Sequence, residues 1–243
     1  MKEKRIDFSI QEAGCLLYIA DKKLDGFPFG ELTEFFGGRD GLKDLTLKGA
    51  IMSMELYQDD GYSVRFVIGD LTDAEKSEWT SKISWKLNLE SGEMVVSGVC
   101  DEDLEDYMED FGICENDGNY ELGCFVQVPK GIYQVDVYGY PPGDLAGGWM
   151  RIEDKRLFHQ CFGKETDLPF EKPIDYFKRT RPNENPPKWI VDGWEDKPFL
   201  NFLIHLSPLE VEPQIPEFEA DGCLSWTFRK PPICPIGIQL EEG

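Results

Sequence analysis

With two histidines and seven cysteines in 243 residues, this chain has few side chains able to hold zinc or relay a proton near neutral pH. His159 and Cys161 stand two positions apart. On a strand they would share a face, the placement that a thiol nucleophile and its base require. No motif follows at a fixed spacing to orient the imidazole or stabilise an oxyanion, so a hydrolase using His159/Cys161 stands behind the other readings. His205 lies in the apolar run Phe202-Leu203-Ile204-His205-Leu206, which predicts a strand and a structural role. The chain has no GxSxG, Walker loop, GxGxxG or HExxH motif. Gly37-Gly38-Arg39-Asp40-Gly41 lacks the Lys and Ser/Thr of a phosphate loop and reads as a surface turn.

The cysteines, at 15, 100, 114, 124, 161, 223 and 234, form no CxxC pair, and most have apolar neighbours. They are expected to be reduced thiols of a cytosolic protein, packed as small hydrophobes. Carboxylate pairs are so numerous that no single pair identifies a glycosidase. Trp149, Trp189 and Trp194 are a candidate sugar-stacking platform; the alternative for them is core or rim packing.

The densest chemistry is anionic. Between Lys86 and Lys130 there is no Lys or Arg, and inside that stretch stand Asp101, Glu102, Asp103, Glu105, Asp106, Glu109 and Asp110. Leu104, Tyr107, Met108 and Phe111 recur at helical spacing, so residues 101–111 read as a short amphipathic helix. Glu102, Glu105, Asp106 and Glu109 would then share its outer face. Like charges that close cost a few tenths of a kcal/mol per pair, roughly. Asp101-x-Asp103-x-Glu105 offers oxygens for calcium. However, an EF-hand loop needs Gly sixth and Glu twelfth, and Asp106 and Gly112 stand there instead. No metal or other cofactor is expected. The alternatives left are a solvated acidic loop and a surface for a basic protein partner.

The elements that must carry these residues are mostly strands. Ile6–Ile10, Cys15–Ala20, Ala50–Tyr57, Tyr62–Ile68, Ile83–Leu89, Met94–Val99, Cys124–Val128, Ile132–Tyr138, Phe199–Leu206, Cys223–Phe228 and Ile236–Leu240 all read as strands. Turn residues at Asp59-Asp60-Gly61, Ser91-Gly92 and Pro129-Lys130-Gly131 predict three hairpins. Residues 73–79 allow one helical turn. From Pro141 to Trp194 the chain is Pro-rich and its pattern is irregular. The fold class expected is mainly β: an antiparallel β-sandwich or open barrel, with one short acidic helix and an irregular C-terminal half. A single domain over residues 1–243 is preferred to a split into 1–142 and 143–243.

Asp+Glu is 47 against Lys+Arg 25, a formal charge of −22 at pH 7. That field repels nucleic-acid phosphates and anionic membranes and attracts basic proteins. The N-terminus has no apolar h-region, and no run approaches the roughly 18 apolar residues of a membrane helix, so a cytoplasmic protein is expected.

Residues 50–140 resemble a known family. The order is a strand pair around Asp59-Asp60-Gly61, then Phe66 to Thr72, a strand ending near Asn88 to Ser97, and Phe125 to Tyr138 with Val128-Pro129-Lys130-Gly131-Ile132-Tyr133 inside it. This is similar to the small bacterial competence-associated inhibitors of the DNA-entry nuclease, of competence protein J type. The resemblance implies a β-sandwich and inhibition by protein–protein contact, without catalysis or cofactor. The reading preferred is therefore a non-enzymatic binding protein, an inhibitor or immunity-type partner of a basic protein such as a nuclease, with Asp101–Asp110 as its contact surface. The alternative is a carbohydrate- or small-molecule-binding sandwich.

Overall fold

Alternating apolar residues make a strand that buries one face, and continuous apolar runs make strands buried on both. The computed structural model describes residues 2–11, 16–23, 39–56, 61–98, 112–114, 118–120, 123–142, 160–161, 164–165, 171–193 and 198–240. The N-terminal part carries β1 (Lys4–Gln11), β2 (Leu16–Asp21), α1 (Arg39–Leu47), β3 (Ile51–Glu55), β4 (Gly61–Ile68), α2 (Asp73–Ser77), β5 (Ser81–Leu89) and β6 (Glu93–Ser97). Next come β7 (Gly112–Ile113), β8 (Gly118–Tyr120), β9 (Gly123–Gln127), β10 (Gly131–Gly139), β11 (Gln160–Cys161) and β12 (Lys164–Glu165). The C-terminal part adds α3 (Pro173–Thr180), α4 (Lys188–Asp192), β13 (Phe202–Pro208) and β14 (Thr227–Phe228).

Among the described residues the strands form a seven-stranded sheet, β14-β5-β10-β13-β4-β1-β8, and a five-stranded sheet, β3-β2-β6-β9-β7, with β11 and β12 paired apart. Neither large sheet closes on itself, so the architecture is sandwich-like, with no closed barrel. One cluster of buried side chains fills the space between the sheets. Phe8, Phe66, Trp85, Val135 and Ile204 come from the larger sheet; Ile19, Met52, Met94 and Val126 come from the smaller. Trp85 reaches across the layer's edge, its Nε1–H donating to the Thr46 carbonyl at 2.5 Å.

The structure corrects the expected pairing. The three predicted turns do not close hairpins. β3 pairs with β2 while β4 pairs with β1 and β13; β5 pairs with β10 and β14 while β6 pairs with β2 and β9; β9 pairs with β6 and β7 while β10 pairs with β5 and β13. Each connection therefore joins a strand of one sheet to a strand of the other, and the described turns at Ser91-Gly92 and Pro129-Lys130 are arches. The arches at Ser91-Gly92 and Pro129-Lys130 stack side by side, and Val128 N–H donates to the Gly92 carbonyl at 2.9 Å. Gly92 has φ +83°, and a Cβ there would stand 3.2 Å from the Val128 carbonyl oxygen. Gly92→Ala should therefore lower stability by about 1–2 kcal/mol, read as a lower midpoint in urea unfolding. An unchanged midpoint would show that the corner relaxes freely.

The sheets are also not purely antiparallel: β1–β8, β4–β13 and β7–β9 run parallel. Each parallel pair joins strands that are not consecutive in the chain, as parallel pairing requires a crossover connection. The C-terminal half holds two helices where an irregular chain was expected, and Tyr176, Phe177, Trp189 and Ile190 from them form a separate buried cluster with Phe199 and Cys234. Pro173 at the first turn and Gly193 at φ +88° after the last bound this pair of helices. Residues 236–240 form a single bridge, Gln239 to Phe199, and not the predicted strand.

Candidate functional site

The outward face of the larger sheet is where polar side chains converge. Cross-strand register sets out two rows: Lys82, Tyr138, Leu203, Arg65, Asp7, and Ser84, Asp136, His205, Val67, Arg5. The alternation that turns Trp85, Val135 and Ile204 into the core turns these residues away from it.

Asp136 lies in the second row between Ser84 and His205. It accepts from Ser84 Oγ at 2.6 Å, Gln134 Nε2 at 3.1 Å and Tyr138 Oη at 3.2 Å, and Lys82 Nζ lies 3.1 Å away. Burial would raise its proton affinity, but the Ser84 hydrogen bond and the Lys82 charge outweigh this and hold the carboxyl below its ordinary range. A carboxylate saturated with donors is a poor proton acceptor. Burial first, then Asp136, pushes the Tyr138 hydroxyl well above its ordinary value, so neither group is poised for acid–base work near neutrality. His205 is half-buried, and its Nε2–H donates to the Gly69 carbonyl at 2.9 Å, a structural placement that fits the strand expected from sequence.

The first row ends in an ion cluster. Arg65 donates to both oxygens of Asp7 at 2.6 Å and to Glu75 Oε1 at 3.1 Å, and Arg5 donates to both oxygens of Glu75. Glu75 is fully buried and also closes a capping box on α2, accepting from Thr72 N–H at 2.8 Å while its own N–H donates to Thr72 Oγ1. Two cations and two anions neutralise one another here, which is the economy of a structural cluster and not of an open anion site.

The acidic site predicted from the sequence, Asp101, Glu102, Asp103, Glu105, Asp106, Glu109 and Asp110, lies wholly outside the described residues, as do Trp149, Trp194 and His159. Trp189 is 3% exposed and donates its Nε1–H to the Ile236 carbonyl at 3.0 Å. It is therefore core packing and offers no face for a sugar, because α4 turns it onto Tyr176 and Phe199. Among the described residues, no group of three or more His, Cys, Asp or Glu could hold a metal ion, and no helix is long and apolar enough to cross a membrane.

A second anionic surface went unread in the sequence. No Lys or Arg occurs between Lys197 and Arg229, and Glu210, Glu212, Glu217, Glu219 and Asp221 fall in that interval. The same measure that singled out residues 87–129 would have found it. In the structure, residues 209–217 are an irregular, exposed strip held at both ends. Leu209 N–H donates to the Ile132 carbonyl at 3.2 Å, Ser225 N–H donates to the Glu217 carbonyl at 3.0 Å, and Phe218 packs on the main core under the Lys43 ammonium. Pro213 and Pro216 restrict the backbone between. Val211 is 78% exposed and Ile215 75% exposed, with Glu210, Glu212 and Glu217 exposed around them. Glu212 meets Lys86 from the outer face of the sheet.

No family model matches the chain. No curated protein matches it. Among solved structures it is similar to the protein named crocagin biosynthetic gene J, with 12% identity over 86% of this chain and 99% of that one, at a TM-score of 0.44. It is also similar to ComJ of Bacillus subtilis, an inhibitor of the DNA-degrading activity of NucA, with 12% identity over 58% of this chain and 83% of that one, at a TM-score of 0.30. ComJ is of the inhibitor type named above for residues 50–140, and the likeness is of low identity and partial coverage.

Proposed function

We propose that this chain is a non-enzymatic binding protein that captures a basic protein partner, in the manner of an inhibitor or immunity-type protein of a nuclease. The observation that carries this reading is the strip at 209–217. Val211 and Ile215 are the two most exposed large apolar side chains among the described residues, and they stand four positions apart on one restrained strip rimmed by carboxylates, the make-up of a contact patch. Covering Val211 and Ile215 would contribute about 1.5–3 kcal/mol each. The surrounding carboxylates deter anionic partners and draw basic ones, because the whole chain carries −22. Asp101–Asp110, the contact surface expected from the sequence, is proposed as a second anionic segment that the basic partner meets. Carboxylates act at a distance and govern encounter; the buried apolar groups act at contact and govern escape.

The test uses a basic protein recovered on the immobilised chain at low salt. Its association and dissociation rates are then measured against salt for three proteins. Changing Glu210, Glu212 and Glu217 together to Gln should slow association about tenfold at low salt and flatten its salt dependence. Changing Val211 and Ile215 together to Ser should leave association nearly intact and speed dissociation at least tenfold. The set Glu102, Glu105, Asp106 and Glu109 to Gln or Asn should behave as the first set does. Capture that is insensitive to salt, or rates that none of the three sets alters, would contradict the proposal.

A further inference from the structure

The two thiols that meet inside the sandwich are unrelated to the charged surface. Cys114 follows β7 and Cys124 lies in β9, and these strands run parallel, with Gly112 opposite Cys124 and Ile113 opposite Phe125. Cys114 N–H donates to the Phe125 carbonyl at 2.7 Å, which seats the residue against β9. The two Sγ atoms are 3.3 Å apart, and the residues are 5% and 0% exposed within the main core cluster. Between them the chain leaves the smaller sheet, adds β8 to β1 of the larger one, and returns. Tyr120 Oη donates back to the Ile113 carbonyl at 3.0 Å, tying the excursion to its starting point.

We infer that Cys114 and Cys124 form a reversible dithiol–disulfide modification site, oxidised by a low-molecular-weight disulfide. One thiolate attacks the oxidant's S–S bond and releases one thiolate from it. The second cysteine sulfur then attacks the mixed disulfide and releases the other. In balance, two protein thiols and one oxidant disulfide give one protein disulfide and two small thiols; the protein loses two electrons and two protons, and the oxidant gains them. The sulfurs must close from 3.3 Å to about 2.05 Å, a movement that side-chain rotation and a small shift of a two-residue edge strand can supply. Cys223 and Cys234 belong to other buried clusters and are no competing partners there.

The site also has a built-in delay. The hydrogen bond with Cys114, then burial, pushes the Cys124 thiol far above its ordinary value, so thiolate is scarce while the edge is closed. Oxidation then follows local opening of β7 and not simple exposure to oxidant. Once made, the bond closes a ring that threads both sheets and fixes the strand that begins directly after residues 101–111 in the chain.

The full folded chain is incubated with oxidised glutathione, quenched in acid, alkylated, and mapped by mass spectrometry. The expected product is one internal disulfide joining the peptides of Cys114 and Cys124, reversed by dithiothreitol. The oxidised chain should show a higher urea midpoint than the reduced one. Cys114→Ser and Cys124→Ser should each abolish that product and leave a glutathione adduct on the surviving partner. Full alkylation of both thiols after native oxidation, a disulfide mapped elsewhere, or one formed only in urea would overturn the inference. These outcomes are read on the parent chain, so they stand even if a serine variant fails to fold.

Discussion

Glu75→Ala should lower the unfolding free energy by about 3–5 kcal/mol at neutral pH, a large share of a typical domain's stability. The carboxylate is fully buried and is shared by Arg5, Arg65 and the Thr72 amide. Removing it leaves Arg65 with Asp7 and Arg5 with only the Asp70 carbonyl, and Arg65 has only 15% of its side chain in water. It also removes one half of the capping box that starts α2. Glu75→Gln keeps the shape and one acceptor oxygen but not the charge, so its loss should fall between the parent and the alanine variant.

The pH dependence follows with a definite sign. Burial would raise the Glu75 carboxyl, but hydrogen bonds from Arg5, Thr72 N–H and Arg65 outweigh this and take it from 4.5 to about 2. A depressed carboxylate adds stability that is present above its unfolded value and fades as pH falls through its folded value. The parent should therefore lose about 3 kcal/mol between pH 4.5 and pH 2 from this group. Glu171 is likewise held at about 2, by hydrogen bonds from Arg179 and Lys230, and contributes in the same window. The difference between the parent and Glu75→Gln isolates the Glu75 share. Urea unfolding measured at intervals from pH 5 to pH 2 gives both curves. Parallel curves would mean that the buried cluster does not govern the acid transition.

The fragment 1–142 should fail to fold cooperatively. β13 lies between β10 and β4, antiparallel to the first and parallel to the second. Phe202, Ile204 and Leu206 are fully buried in the main core, and the Phe202 ring stacks at 5.9 Å on Trp226 and meets Tyr62 edge-on at 5.3 Å. Without residues 143–243, β4 and β10 become edges with unpaired backbone groups, and the inner faces carrying Val64, Phe66, Val135 and Val137 lose their neighbours. Open apolar edges of that kind aggregate or collapse without fixed packing. We therefore propose that residues 1–243 act as one folding unit. The fragment should show poor amide dispersion, dye binding to exposed apolar surface, and no sharp urea transition. A well-dispersed spectrum with a cooperative transition from 1–142 would refute this.

The strands were legible because the core imposes a period of two on each. Ile83, Trp85, Leu87 and Leu89 against Lys82, Ser84, Lys86 and Asn88 name the buried face of β5 without help from any neighbour. The single turn at 73–77 was legible from its capping residues. The helix α3 was legible too, in Pro173 at its start, Asp175 in its first turn and Lys178 and Arg179 in its last, but the surrounding prolines obscured it. The strip at 209–217 needed only the absence of Lys and Arg to be noticed.

What the residues determined alone was local: which segments extend, which side of each turns inward, and that the whole carries a strong negative charge. Which strands become neighbours was decided by the folded chain. A tight turn reverses direction equally well within one sheet or between two. The choice depends on which arrangement covers Met94 to Ser97 and Gly123 to Val126 on both faces, a balance no single segment contains. The same is true of Arg5, Arg65 and Glu75, of Cys114 and Cys124, and of Trp189. Their partners lie ten or more residues away in the chain, and only packing brings them within reach.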